Sequence, residues 1–187
     1  MFHSVKASIS SFARFSEQEL DAFTSRLRFR EIKKNEYLVV EGQICQHFYF
    51  VNRGSFRHYT ALESGSDAVL NLYVEKDWLF DYKSFITQTP SENRIQAAEE
   101  SEIFELSGLD FHELVKLSGS YFQIGRIFEQ AIQNQDYQNN RLSPEEKYAL
   151  LLSTKPQIIQ KFPLKQIASY LGMTPETLSR IRRKVIS

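Results

Sequence analysis

The chain changes its hydrophobic period once, near Ser107, and that change limits what it can fold into. Ahead of it, apolar and polar residues alternate in YLVVEG, HFYFVNRGSFRHY and AVLNLYV, the period of two that sends side chains to opposite faces of a strand. Turn signals divide these runs at Lys34-Asn35, Glu41-Gly42, Asn52-Arg53-Gly54 and Ser64-Gly65-Ser66. Two further runs, around 95–98 and 103–106, complete the set. Short strands at this spacing predict a sandwich or barrel. Before them, Ser16 and Glu19 form a capping box, with Leu20 and Phe23 as the apolar stripe of a short helix.

After Ser107 the repeat is three to four. GLDFHELVKL reads as a short helix and SYFQIGRIFEQAIQNQDYQNNR as a longer one. Tyr121, Ile124, Phe128 and Ala131 draw a seam down one face, which Gln135 and Gln138 continue with polar groups. Such a seam fits either the chain's own strands or a second copy. SPEEKYALLLSTKP predicts another helix, with Ser143 as cap, Pro144 in the first turn and Tyr148, Leu151 and Leu152 on the apolar face, before Pro156 breaks it.

The last stretch, PLKQIASYLGMTPETLSRIRRKVIS, holds two short amphipathic patterns. Leu164, Ile167, Ala168 and Leu171 form one face, and Gly172 ends it where a turn needs positive φ. Thr174 can cap the next helix and Pro175 suits its first position, with Leu178, Ile181 and Val185 facing inward. Ala168 is small where two helices cross. This is the pattern of a helix-turn-helix. The second helix turns Glu176, Thr177, Ser179, Arg180, Arg183 and Lys184 outward. In a DNA major groove an Arg can bind guanine O6 and N7, and a Glu can accept from cytosine N4. Thr177, Lys184 and the helix N-terminus suit phosphates. A structural hairpin with a solvated charged face would show the same residues.

Charge favours the nucleic-acid reading. The 187 residues carry 23 Lys/Arg and 23 Asp/Glu, yet residues 141–187 hold nine basic against three acidic groups, leaving fourteen against twenty in the rest. A basic end on an acidic body points to a polyanion at that end. There is no apolar run of about 18 residues to span a membrane and no secretory signal pattern. The single cysteine, Cys45, fits a reducing, cytoplasmic setting.

Two segments, LKQIASYLGMTPETLSRIRR and EGQ…FYFVNRGSFRHY, resemble the Crp/Fnr family of bacterial transcription regulators. PETLSR is similar to the family's recognition-helix pattern E-T-x-S/G-R. The resemblance covers nearly the whole chain. It implies an α+β fold: an N-terminal double-stranded β-helix or jelly-roll of the cyclic-nucleotide-binding kind over 1–117, a long dimerisation helix over 118–140 and a helix-turn-helix domain over 141–187. It also implies that Glu176 and Arg180 read bases with help from Ser179, that Thr174, Thr177, Arg183 and Lys184 hold phosphates, and that the target is a palindrome of TGA-containing half-sites. Double-stranded DNA, a second copy meeting at the Tyr121–Gln135 seam and RNA polymerase are the implied partners.

Two features depart from the family. Only TKPQIIQKF separates Ser153 from Pro163, so a β-hairpin wing before the helix-turn-helix is expected to be missing or replaced by a helix. The nucleotide signature is also altered. Aligning DWLFDYKSF and SENRIQAAEE to the family's phosphate-binding segment puts Phe80 at its Gly, Asp81 at its Glu, Ser91 at its Arg and Glu92 at its Ser/Thr. Arg94 is three residues off, which inverts its side in a strand. A ring in place of Gly and a carboxylate without a guanidinium argue against cyclic AMP or cyclic GMP in the usual mode. Residues Phe80, Asp81, Tyr82, Ser91, Glu92 and Arg94 are then the expected region for an effector of unknown chemistry.

Nothing else in the chain suggests chemistry. One cysteine cannot ligate an iron–sulfur cluster, and His3, His47, His58 and His112 lack ligand spacing for haem or zinc. His58 reads as a polar face residue and Glu99-Glu100 as a solvated turn. No catalytic motif is present. The alternative to a DNA-binding regulator is a cyclic-nucleotide or small-molecule sensing module whose terminal helices dock on a protein.

Overall fold

The computed structural model describes residues 2–63, 65–127 and 142–186, with side chains described as far as 184. The alternating half forms β1 (Arg28–Ile32), β2 (Tyr37–Val39), β3 (His47–Arg53), β4 (Phe56–Ala61), β5 (Asp67–Tyr73), β6 (Trp78–Leu79), β7 (Arg94–Ala97) and β8 (Ser101–Ser107). They pair antiparallel into two four-stranded sheets, ordered β1-β8-β3-β6 and β2-β7-β4-β5. Between them lies a core of Phe48, Phe50, Phe56, Leu79, Phe80, Ile95 and Phe104, all buried. The sheets join at the turn after β3, where Gly54 takes φ 103° and a Cβ would collide with the Ser101 side chain. Only glycine fits that approach.

Helices close the roll. The first, α1 (His3–Ser10), lays Val5 and Ile9 on the core, and Ser8 Oγ accepts a hydrogen bond from Trp78 Nε1 at 3.0 Å. Next, α2 (Glu17–Ser25) carries the capping box of Ser16 and Glu19 that the sequence predicts. A short helix, α3 (Tyr82–Thr87), follows β6 and is capped by Asp81. Ser107 caps α4 (Gly108–Leu117), at the point where the period changes.

The seam begins differently from the sequence expectation. Gly119–Gly125 is a 3₁₀ helix, which stacks residues three apart and so brings Tyr121 and Ile124 onto one side. That side is the chain's own roll. Both residues are buried in its core, and Tyr121 Oη donates to Glu19 O at 2.7 Å. Tyr121 and Ile124 are therefore core residues and not part of a seam between copies. Phe128, Ala131, Gln135 and Gln138 lie outside the described residues.

The period-3.6 half continues with α5 (Pro144–Thr154), α6 (Pro156–Lys161), α7 (Leu164–Tyr170) and α8 (Pro175–Ile186). Ser143 and Glu146 form a second capping box at α5. Tyr148 and Leu151 are buried as expected, but Leu152 is 39% exposed, because the buried stripe runs through Lys147, Tyr148 and Leu151. A helix, α6, occupies the segment before the helix-turn-helix, and no strand occurs among described residues 142–186.

These helices share a second core with β5 and the residue after it: Val69, Leu72 and Val74 pack with Tyr148, Leu151, Ile158, Phe162, Ile167, Leu171, Leu178 and Ile181. Strict alternation would put Val69 and Leu72 on opposite faces. A bulge at Leu70, where pairing shifts from His58↔Asn71 to Tyr59↔Val69, restores them to one face.

Candidate nucleic-acid interface

The turn between α7 and α8 is built as the sequence requires. Gly172 takes φ 67°, Met173 N donates to Ala168 O at 3.0 Å, and Gly172 N donates to Ser169 O at 3.1 Å. Ala168 is fully buried where α7 meets α8, and Leu178 and Ile181 fill the wedge between them. Lys147 reaches from α5 to this turn, its Nζ 3.4 Å from Leu171 O, satisfying a carbonyl that α7 leaves open.

Thr174 caps α8, its Oγ1 accepting from Thr177 N at 3.2 Å. Glu176 sits in the first turn. Hydrogen bonds from its own backbone and from the Thr174 hydroxyl hold its carboxyl below the usual range, so it is an acceptor at neutral pH. Glu176, Arg180, Arg183 and Lys184 are exposed, whereas Thr177 and Ser179 are half-buried. Among the described residues Lys184 approaches Glu145, at 3.9 Å. The side chain of Val185 is outside the described set. An anchored helix thus presents two guanidiniums, an ammonium and a carboxylate to solvent. Those donors and acceptor are of the types that base edges and phosphates complement.

The expected effector region divides in two. Phe80, Asp81 and Ser91 are buried, but Glu92 turns out to Lys83 at 2.9 Å and Arg94 to Glu41 at 2.8 Å. An outward Glu92 and Arg94 cannot line the interior. Phe80 fills its position with a ring set against Phe48, Tyr82 and Phe85. Asp81 accepts from Ser84 N at 3.3 Å, from Asn93 Nδ2 at 3.1 Å and from Ser91 Oγ. A buried carboxylate, served among the described residues by the neutral donors Ser84 N, Ser91 Oγ and Asn93 Nδ2, occupies the place where the family pattern would hold a phosphate. A second anion there would be repelled.

His58, read in sequence as a polar face residue, completes this cluster on the inner face of its strand. It is buried on β4, with Nε2 4.0 Å from Asp81 Oδ2 and no hydrogen-bond partner. Its strand alternation was visible in sequence; which face was inner was not. Cys45 is buried and its thiol is pushed up to about 11, chiefly by desolvation, which leaves little thiolate. Glu99 is no free turn residue either: it accepts from Ser55 Oγ at 2.8 Å and from Lys161 Nζ at 2.8 Å.

Comparison with known proteins agrees with this build. The family model for the cyclic nucleotide-binding domain matches residues 29–118. The anaerobic regulatory protein of Haemophilus influenzae is 27% identical over 186 residues, an alignment spanning 89% of this chain and 70% of that protein. That of Pasteurella multocida is also 27% identical and is covered over 66% of its length, just under two thirds. FixK2 of Bradyrhizobium japonicum superposes with a TM-score of 0.67 at 15% identity, covering 85% of this chain and 84% of that one. The c-di-GMP responsive regulator CLP of Xanthomonas campestris gives 0.66 at 16% identity with 91% of each chain covered. The catabolite activator protein of Thermus thermophilus gives 0.59 at 17% identity, covering 96% of this chain and 86% of that one.

Proposed function

We propose that this chain is a regulator of the Crp/Fnr family, a reading supported by the cyclic nucleotide-binding domain match over residues 29–118 and the likeness to the anaerobic regulatory proteins, and that it reads a palindromic, TGA-type operator as a homodimer. Helix α8 enters the major groove. Glu176 and Arg180 contact base edges, assisted by Ser179, while Thr174, Thr177, Arg183, Lys184 and the helix N-terminus face phosphates. The copies meet through the segment that carries Phe128, Ala131 and Gln135. The observation that carries this reading is the exposed Glu176–Arg180–Arg183–Lys184 face on a helix whose other side is locked into a buried core.

The roll interior beside Phe80, Asp81, Tyr82 and Ser91 is the effector region of this reading. Its ligand is not cyclic AMP or cyclic GMP in the usual mode, because Asp81 meets neutral donors and no guanidinium.

Fluorescence anisotropy on labelled duplexes tests the assignment. Affinity should fall steeply with salt, because bound basic residues release counterions. Arg180→Ala should cost about 1–3 kcal/mol on the palindrome and little on a scrambled duplex. Lys184→Ala should weaken both alike. Two variants that behave identically on both duplexes would remove α8 as the reading helix.

A further inference from the structure

The two halves of the chain meet through charge as well as packing. The Lys161 ammonium, at the end of α6, contacts Glu75 Oε1 at 2.6 Å, Glu99 Oε1 at 2.8 Å and Gly54 O at 3.5 Å. These acceptors come from three separate loops of the roll: after β3, after β5 and between β7 and β8. At the start of α6, Lys155 Nζ spans both oxygens of Asp77 at 2.8 and 2.9 Å. The carboxylates are themselves held. Glu75 accepts from Gly54 N at 3.0 Å, Asp77 from Val74 N at 3.0 Å and Glu99 from Ser55 Oγ at 2.8 Å. One helix along, Ser169 Oγ of α7 accepts from Val69 N at 3.0 Å.

Burial alone would depress the Lys161 ammonium, but its bonds to Glu75 and Glu99 outweigh that and raise it. The geometry is that of a fixed joint, since the carboxylates are pinned by their own loops and the lysines sit at the two ends of one short helix. It buries none of the candidate DNA face: Glu176, Arg180, Arg183 and Lys184 are exposed while the joint is closed.

We propose that this contact is a latch that fixes the helix-turn-helix against the roll, and that Lys155 and Lys161 are positioning residues for operator spacing. They touch no DNA. They set where the reading helix of each copy stands, so that two half-sites are engaged together only at one separation. A helix-turn-helix held in place keeps the high effective concentration of the second contact; a loosened one spreads over many orientations and loses it. Because both ammoniums are already neutralised by roll carboxylates, they add nothing to counterion release. The inference rests on the homodimeric operator reading above.

The test uses the full chain and the double variant Glu75→Gln/Glu99→Gln, whose amide oxygens can still accept from Gly54 N and Ser55 Oγ. Anisotropy is measured on a single half-site duplex and on palindromes whose half-sites are moved apart or together in one-base-pair steps. Half-site affinity and the salt slope should stay within about two-fold of wild type, while affinity for the best palindrome falls about ten-fold or more and the spacing preference flattens. Parallel loss on half-site and palindrome, or an unchanged spacing preference, overturns the proposal. Hydrogen exchange gives a readout without DNA: amides of 67–73 should lose protection in the variant, and unchanged protection also overturns it. Wild-type protein that binds no duplex would instead defeat the operator reading, leaving the exchange result to judge the latch.

Discussion

His58 should make this protein sensitive to mild acid, with a size that follows from its burial. Desolvation pulls its imidazole from 6.5 down to about 4, and the attraction of Asp81 offsets only part of that. The folded chain therefore holds His58 neutral between those values, while the unfolded chain takes up a proton. Stability is complete above about pH 6.5 and falls as pH drops toward 4. Each unit of depression is worth about 1.4 kcal/mol, so the loss reaches roughly 2 kcal/mol at pH 5 and roughly 3 below pH 4. Carboxylates act in a lower window. Glu19 is lowered to about 2 by its bonds to Ser118 and Ser16, and Glu75 and Glu99 are depressed on balance by Lys161, so what they contribute persists through pH 5. Urea midpoints at pH 7 and pH 5 for wild type and His58→Leu isolate the effect. Wild type should lose about 2 kcal/mol more than the variant across that interval. Parallel declines would show that His58 does not titrate as a buried neutral imidazole.

Gly54→Ala should cost about 3 kcal/mol or more in a denaturant titration, because φ 103° is strained for any side chain and a Cβ would also lie 2.8 Å from Ser101 Cα. A loss below about 1 kcal/mol would mean that the turn relaxes freely. Titration calorimetry with cyclic AMP or cyclic GMP should give no saturable heat; micromolar binding would show that Asp81 and Phe80 do not exclude the cyclic phosphate.

The sequence made the architecture legible wherever period and punctuation agreed. The runs at 47–61 and 67–73 sit between turn residues and form strands, and the capping box at Ser16 and the cap at Ser143 sit where they were read. The helix-turn-helix was readable because Gly172, Thr174 and Pro175 each answer a local backbone need. Other elements carried too weak a local signal. Strand β1 reads RFREI, a charged edge strand whose alternation is masked by three ionised groups, and β6 is two residues long. Gly119–Gly125 carries an i, i+3 apolar pair that suits either helix type, and only contact with the roll selects 3₁₀. At the effector region, the alignment to the family's phosphate-binding segment, not local spacing, grouped Phe80, Asp81 and Ser91. It could not show that Glu92 and Arg94 turn outward, since that depends on which strand face is buried. The latch was invisible, because Lys161 lies 86 residues from Glu75 and 62 from Glu99.

Strand β5 gives these parts a common mechanical logic. Its inner face carries Asn71 and Tyr73, and Asn71 is paired across from His58. Its outer face carries Val69 and Leu72, and Val74 follows just past its end; all three belong to the core of the helical half. Tyr73 is thus flanked on both sides by residues packed on the C-terminal helices, and close packing leaves little slack for one to move without its neighbours. A ligand that displaced Tyr73 or His58 would push on the helix-turn-helix through a single strand, over the thickness of a sheet. Whether such a push tilts α8 or dissipates depends on the joints at the strand's far end, where Glu75 and Asp77 grip Lys161 and Lys155. Cut there, the strand keeps only its apolar packing and the Val69 N–Ser169 Oγ bond to hold the helices in register; closed, the two lysines add a fixed point at each end of α6.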